Sequence, residues 1–186
     1  MASGSSNLPP EGFRYQAEML PPEEERDLVA RLRELPLKEF NFHGYVGRRR
    51  VLSFGWSYNF ETHRLRHAEA VPDFLLGLRE RAANFAGLTP EDLQQALVTE
   101  YGPGAAIGWH RDKAVFGDVI GISLLSPCIF RLRRKIDEKW QRYSLTAEPR
   151  SIYLLRGPSR TEWEHSIPSV PALRYSITFR SLRAKG

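Results

Sequence analysis

Residues 101–113 read YGPGAAIGWHRDK, a Gly-Pro-Gly turn followed by a short run that ends in His110, one intervening residue and Asp112. A His-x-Asp pair alone specifies little: it is half of a metal site or two polar residues on a strand edge. What surrounds it decides between these readings.

Downstream of residue 94 the chain breaks into short segments rich in β-formers: QALVTEY, DVIGISLL, CIFRLRR, QRYSLT, SIYLLRG and LRYSITFR, separated by Gly, Pro and charged turns. Upstream the pattern is helical. PPEEERDLVARLRELP opens on Pro and a carboxylate-rich first turn, and places Leu28, Val29, Leu32 and Leu35 on one stripe, which predicts a helix over Pro22–Leu35. A second helix is predicted over Pro72–Phe85, closed by Gly87. Helices first and many short strands afterwards predict an α+β domain whose strands close into a sandwich or jelly roll.

Composition fits one such domain. The 186 residues are 41% hydrophobic and 26% charged, ordinary for a globular protein with a substantial core. Residues 1–12 read as a flexible tail and 13–186 as a single domain without repeats. Lys and Arg number 27 against 22 Asp and Glu, a modest basic excess compatible with a polyanionic partner or with an ordinary solvated surface. The one cysteine, Cys128, excludes an intrachain disulfide and a Cys-rich zinc site. No apolar run has the length of a membrane span and the first residues lack a signal-peptide pattern, so no membrane partner and a cytoplasmic location are expected, with a monomer as the default.

The segment from Asn41 to His67 differs in kind, being dense in aromatic residues, Arg and His with a poor apolar period. It reads as an irregular hairpin or lid facing solvent.

Two imidazoles and one carboxylate on one face of an ion form the facial triad of non-haem Fe(II) oxygenases. His165 in EWEHSIPSV, near the start of the final hairpin, is the natural third ligand, in competition with His43, His63 and His67 of the lid. In LRYSITFRSLR the side chains of Arg174 and Arg180, with Ser176 and Thr178, share one face of a strand. Two interior guanidinium groups need anionic partners, either a small dicarboxylate or internal acids such as Asp112.

Taken together and in order, YGPGAAIGWHRDK, EHSIP and RYSITFR resemble the signature of the AlkB family of Fe(II)- and 2-oxoglutarate-dependent dioxygenases. The likeness spans roughly residues 94–183 and extends only loosely to the lid. It implies a double-stranded β-helix, or jelly roll, with the N-terminal helices packed on its outside. It further implies that His110, Asp112 and His165 hold iron, and that Arg174, Tyr101 and Ser176 hold the distal carboxylate of 2-oxoglutarate. Arg180 would meet the chelating end and orient Asp112. Dioxygen would complete the cofactor set.

The resemblance also implies oxidation of an N-linked alkyl group on a nucleobase in DNA or RNA, which requires a flipped base or a single strand. Phe42, Tyr45, Phe54 and Trp56 would stack on that base, and Arg48, Arg49 and Arg50 would grip phosphates; the bland alternative is that the aromatics cap the barrel. Arg131, Arg133, Arg134 and Lys135 lie near where the family's substrate groove runs. Four positions depart from the family pattern: Thr99 and Ser176 stand where Asn is frequent, Phe54 where Tyr is usual, and Ala114 where repair members carry a base-contacting carboxylate. Alternatives to nucleobase demethylation are the same oxygenase chemistry on a protein or small molecule, and a noncatalytic nucleic-acid-binding module.

Overall fold

The computed structural model describes residues 8–42 and 45–184, with side chains described outside 41–47. Helix α1 (Pro22–Arg33) and helix α2 (Asp73–Ala86) sit where the apolar stripes place them. α1 stops two residues short of the predicted end because Pro36 disfavours the α conformation at Leu35. α2 ends on Gly87 in the left-handed region, φ 67°.

The strands build two facing antiparallel sheets. The large one contains β1 (Arg14–Gln16), β2 (Lys38–Phe42), β3 (Tyr45–Phe54), β6 (Leu93–Tyr101), β8 (Phe116–Leu124), β11 (Ser151–Leu155) and β13 (Arg174–Leu182), in the order β1-β11-β8-β13-β6-β3-β2. The small one contains β7 (Ile107–His110), β9 (Cys128–Ile136), β10 (Lys139–Ala147) and β12 (Glu164–Ile167), in the order β10-β9-β12-β7. A separate hairpin pairs β4 (Trp56–Asn59) with β5 (Arg64–His67), and a short helix α3 (Pro158–Thr161) precedes β12. This is the jelly roll expected from the sequence.

Period-two alternation on β13 shows how the sheet divides the interior. Tyr175, Ile177 and Phe179 face the helices, in a core shared with Leu32, Leu75, Leu78, Ala82 and Ala83. Arg174, Ser176, Thr178 and Arg180 face the space between the sheets. A second apolar cluster, with Phe130, Leu132, Leu155, Trp163 and Ile167, closes that space from the small sheet and the floor.

Two expectations change. The 41–67 segment is not an irregular lid throughout: β3 pairs with β6 in register, Arg49 opposite Tyr101 and Val51 opposite Thr99, and extends the large sheet. Phe54 lies an odd number of residues from Val51, so it points away from the cavity and into the helical core, 4% exposed. It is a packing residue, not a base-stacking one. The tail is also shorter than 12 residues, since Pro10 is buried and the Glu11 carbonyl accepts a hydrogen bond from the Ser159 amide, 2.9 Å. Gly12 is required there: its φ is 84°, and a Cβ at that position would stand 1.8 Å from the Arg156 carbonyl oxygen.

Phe54→Ala is therefore expected to destabilise the fold by about 3–5 kcal/mol, the usual cost of removing a buried Phe side chain, read from the urea midpoint. A loss below about 1 kcal/mol would return Phe54 to the lid.

Candidate metal centre and cosubstrate pocket

His110 ends β7 and His165 lies on β12, and the two are direct cross-strand partners with ring centroids 4.3 Å apart. Asp112 follows β7 by two residues and turns its carboxylate under both rings, Oδ1 lying 3.6 Å from His110 Nε2 and 3.5 Å from His165 Nε2. One ligand atom from each residue falls within 4.8 Å of the others. His63 and His67 sit on the β4–β5 hairpin, where His67 stacks on Trp56 with centroids 3.9 Å apart and His63 Nδ1 lies 3.4 Å from the Tyr58 hydroxyl; His43 lies outside the described residues.

Each donor is held in its ligating form. His110 Nδ1 is 2.8 Å from the Gly108 carbonyl, which can only accept, so the proton sits on Nδ1 and Nε2 presents its lone pair. Burial, reinforced by neighbouring positive charge, pushes the His165 imidazole down to about 3, so it is neutral at physiological pH. Burial pushes the Asp112 carboxyl upward, but the Arg180 guanidinium and the two imidazoles outweigh it and hold the group well below the usual carboxylate range. Arg180 Nε donates to Asp112 Oδ2 at 2.6 Å, leaving Oδ1 for an ion, and its Nη1 donates to Gln95 Oε1 at 2.9 Å.

Arg160 fixes the loop that carries Asp112. It is 6% exposed and directs its guanidinium at the loop's carbonyls: Nε to Gly117 at 2.8 Å, Nη1 to Asp112 at 3.3 Å, and Nη2 to Lys113 and Phe116 at 2.8 and 2.9 Å. Its place in PSRT, a short polar helix start, carries no sequence signal for this role.

Beside the triad a cavity of about 580 Å³ runs between the sheets, within the range of small-molecule sites. Arg174 lies in its wall, 1% exposed, with its guanidinium carbon 4.8 Å from the Tyr101 ring centroid and Nε donating to Ser123 Oγ at 3.1 Å. Its Nη1 is buried without a hydrogen-bond partner. A buried, unsatisfied cationic donor is costly and suits an anionic ligand. Thr99, Tyr101 and Ser176 line the same cavity, as does Tyr153, whose ring lies against Gly121 directly across the ladder. Tyr153, Ser123 and Gln95 went unread in the sequence, since nothing but strand parity and register brings them here.

The mouth is lined by Phe40, Tyr58, Phe60, Arg49 and Lys113. Phe40 and Phe60 meet edge to face at 5.6 Å, Lys113 Nζ lies 5.6 and 5.4 Å from the Tyr58 and Phe60 centroids, and Arg49 stacks on Phe40 at 4.6 Å. Of the expected lid contacts whose side chains are described, only Arg49 reaches the cavity. Arg50 points to the opposite face and forks onto Glu100 at 2.7 and 2.9 Å, and Arg48 Nη1 donates to the Pro103 carbonyl at 3.3 Å. The side chains of Phe42 and Tyr45 lie outside the described residues. Arg134 is engaged by Gln141 and Glu162 at 2.8 and 3.6 Å, and Arg133 by Glu164 at 2.8 Å, both away from the cavity.

A two-His, one-carboxylate cluster beside an arginine-walled cavity in a jelly roll is the arrangement that non-haem Fe(II) oxygenases use. Residues 12–180 match the sequence model of the 2OG-Fe(II) oxygenase superfamily, and the chain belongs to that superfamily. It is 29% identical over 147 residues to the alkylated DNA repair protein ALKBH8 homolog of Arabidopsis thaliana, covering 66% of this chain and 42% of that protein. It is 36% identical over 92 residues to the mitochondrial alpha-ketoglutarate-dependent dioxygenase alkB homolog 7 of Mus musculus, covering 48% and 40%. The chain thus spans less than half the length of these relatives. The solved structure of OsALKBH1 superposes with a TM-score of 0.73 at 17% identity, over 95% of this chain and 99% of that one, and shows the same fold. The superfamily uses Fe(II), 2-oxoglutarate and dioxygen, and the donor set and the unsatisfied Arg174 Nη1 fit the first two.

Two outcomes follow. Arg160→Gln is expected to weaken Fe(II) binding by about tenfold, within the range for groups that orient metal ligands, while 2-oxoglutarate-independent properties such as far-UV circular dichroism stay unchanged; unchanged iron affinity would limit Arg160 to a structural role. The unfolded His165 ring takes a proton below about 6.5 but the folded ring only near 3. The unfolded state binds more protons in that window, so the metal-free protein is expected to lose stability as pH falls through it, with less loss in His165→Asn. Identical pH profiles of denaturation for the two proteins would contradict the buried neutral imidazole.

Proposed function

We propose that the chain is an Fe(II)- and 2-oxoglutarate-dependent dioxygenase that oxidatively demethylates N-alkylated nucleobases in DNA or RNA. The observation that carries the oxygenase reading is the buried Arg174 Nη1 without a partner in the same cavity as the His110, Asp112 and His165 cluster. The two imidazoles and Asp112 Oδ1 would hold iron, and Arg174 the far carboxylate of 2-oxoglutarate, with Tyr101 and Ser176 beside it.

When bound, these groups supply oxidative decarboxylation of 2-oxoglutarate to succinate and carbon dioxide, coupled to hydroxylation of an N-linked alkyl carbon that then leaves as an aldehyde. The chain's own residues position and exclude. Arg180 keeps Asp112 ionised and oriented. Leu97, Phe116, Val119, Phe130 and Ile167 form apolar wall that keeps bulk water out. The His110 side chain, 38% exposed against 11% for His165, marks the side of the cluster open to the mouth.

The substrate class rests on that mouth and on the relatives. Three aromatic rings and two cations suit a planar base and its phosphates, and one relative is named for repair of alkylated DNA. Ala114 is exposed and offers no base-reading group, so recognition falls to the aromatic mouth.

The test is mass spectrometry of methylated oligonucleotides incubated with Fe(II) and 2-oxoglutarate. Loss of the methyl group matched by succinate is the expected result. Succinate formation with every methylated oligonucleotide left intact would overturn the substrate, and no succinate at all would overturn the oxygenase. Arg174→Lys keeps the charge and loses the fork, so the cosubstrate requirement is expected to rise by an amount equivalent to about 1.5–3 kcal/mol, with iron binding retained.

A further inference from the structure

The outer face of the small sheet carries a feature that the cavity chemistry does not use. Phe130 and Leu132 of β9 are buried toward the cavity, so Arg131 and Arg133 between and beyond them point outward. Opposite Arg133 on β10 is Arg142, and Trp140 stands two residues before it on the same outward face. On the other side Trp109 precedes His110 and also borders the cavity mouth.

These side chains interleave. The Arg133 guanidinium lies between two indoles, 4.3 Å from the Trp109 centroid and 4.2 Å from that of Trp140. Arg131 adds a second cation over Trp109 at 4.9 Å, and Arg142 stands more loosely at 6.0 Å from Trp140. Among the described residues only Glu164 opposes them, and it is paired with Arg133 at 2.8 Å. Among the described residues Arg131 has its Nε on Ser166 Oγ and no carboxylate partner, and Arg142 has none either.

Trp140 stands 38% exposed on the outside of the sheet, flanked by the guanidinium groups of Arg133 and Arg142. A stacking surface flanked by guanidinium groups without a carboxylate, here Arg131 and Arg142, is what a single strand of nucleic acid requires: every base has a face to stack, and every linkage a phosphate to neutralise. The placement gives a direction. β7, which carries His110, is one edge of the four-stranded sheet and β10, which carries Trp140, is the other. Three strand spacings of about 4.8 Å separate them, more than one nucleotide at the roughly 3.4 Å rise of a stacked strand.

We propose that this face is a docking track for single-stranded nucleic acid leading away from the cavity, with bases flanking the target stacked on Trp140 and phosphates on Arg131 and Arg142. The track rests on the nucleic-acid reading of the cavity and narrows it to a strand longer than the target nucleotide. Trp140 and Arg142 lie outside the cavity, so removing them leaves iron and cosubstrate handling intact.

The experiment measures fluorescence anisotropy of a labelled ten-nucleotide single strand, together with kcat/KM on methylated mononucleotide and on methylated strands of increasing length. Wild-type kcat/KM is expected to rise with strand length. Trp140→Ala should bind the strand about tenfold more weakly and lose that rise, with mononucleotide turnover unchanged, while Trp140→Tyr keeps most of both. Arg142→Ala should lower the slope of log affinity against log salt by about 0.7. Wild-type demethylation of strands with undiminished binding in Trp140→Ala would overturn the track and leave the proposed function standing. Equal losses in Trp140→Ala and Trp140→Tyr with a lowered Tm would reduce the ladder to a structural brace and overturn it too. Displacement of the strand by inorganic polyphosphate as effectively as by unlabelled strand would show charge without stacking, again against the track. No binding and no demethylation of any strand would remove the nucleic-acid reading itself, and the track with it.

Discussion

The ion pair between Asp112 and Arg180 governs the interior. A carboxylate at 5% exposure would take a proton and stop being a hard anionic ligand unless a cation stood beside it, and Arg180 Nε stands at 2.6 Å. The dependence runs both ways. Without Asp112, β13 would present two guanidinium groups six residues apart on one interior face, with no protein carboxylate on either. The pair also joins the last strand to the loop after β7, and Arg160 clamps that loop from the far side through four carbonyl contacts. Geometry of the metal cluster is thus a consequence of how the sheet closes.

Much of this was legible beforehand because it depends on local period. The helices follow from apolar stripes and from Pro and Gly at their ends. The cavity face of β13 follows from parity alone: Arg174, Ser176, Thr178 and Arg180 alternate with Tyr175, Ile177 and Phe179, and each set found the environment its chemistry demands. The spacing of His110 and Asp112, with one residue between, suits a ligand at a strand end and another just beyond it.

What remained hidden depends on pairing between distant segments. Phe54 and Arg50 share a face because β3 aligns with β6, and only that register turns one into the core and the other onto Glu100. A run of three arginines looks like one basic patch in sequence, yet its members go to a backbone carbonyl, the cavity and a carboxylate on the opposite face. Tyr153 reaches the cavity because its register partner is Gly121, and neither residue announces the other. The β9–β10 turn likewise uses Asp137 and Glu138 at φ 46° and 66°, positions where Gly or Asn is usual, so its two-residue length had no turn signature to betray it.

The pocket carries a standing cost. Arg174 is held between Tyr101 and Ser123 with one donor unsatisfied, and a guanidinium so placed makes the metal- and cosubstrate-free fold less stable than an apolar side chain of similar size would. That cost is recovered only by a ligand that brings an anionic, planar, bidentate acceptor to the end of the cavity away from the triad. A neutral ligand, or a monocarboxylate short enough to reach only the iron side, leaves Nη1 unpaired. A buried group so placed would discriminate by length and by charge, and the binding energy of a dicarboxylate would add to the stability of the closed sheets, since both Arg174 and Arg180 lie on the strand that joins β6 to β8.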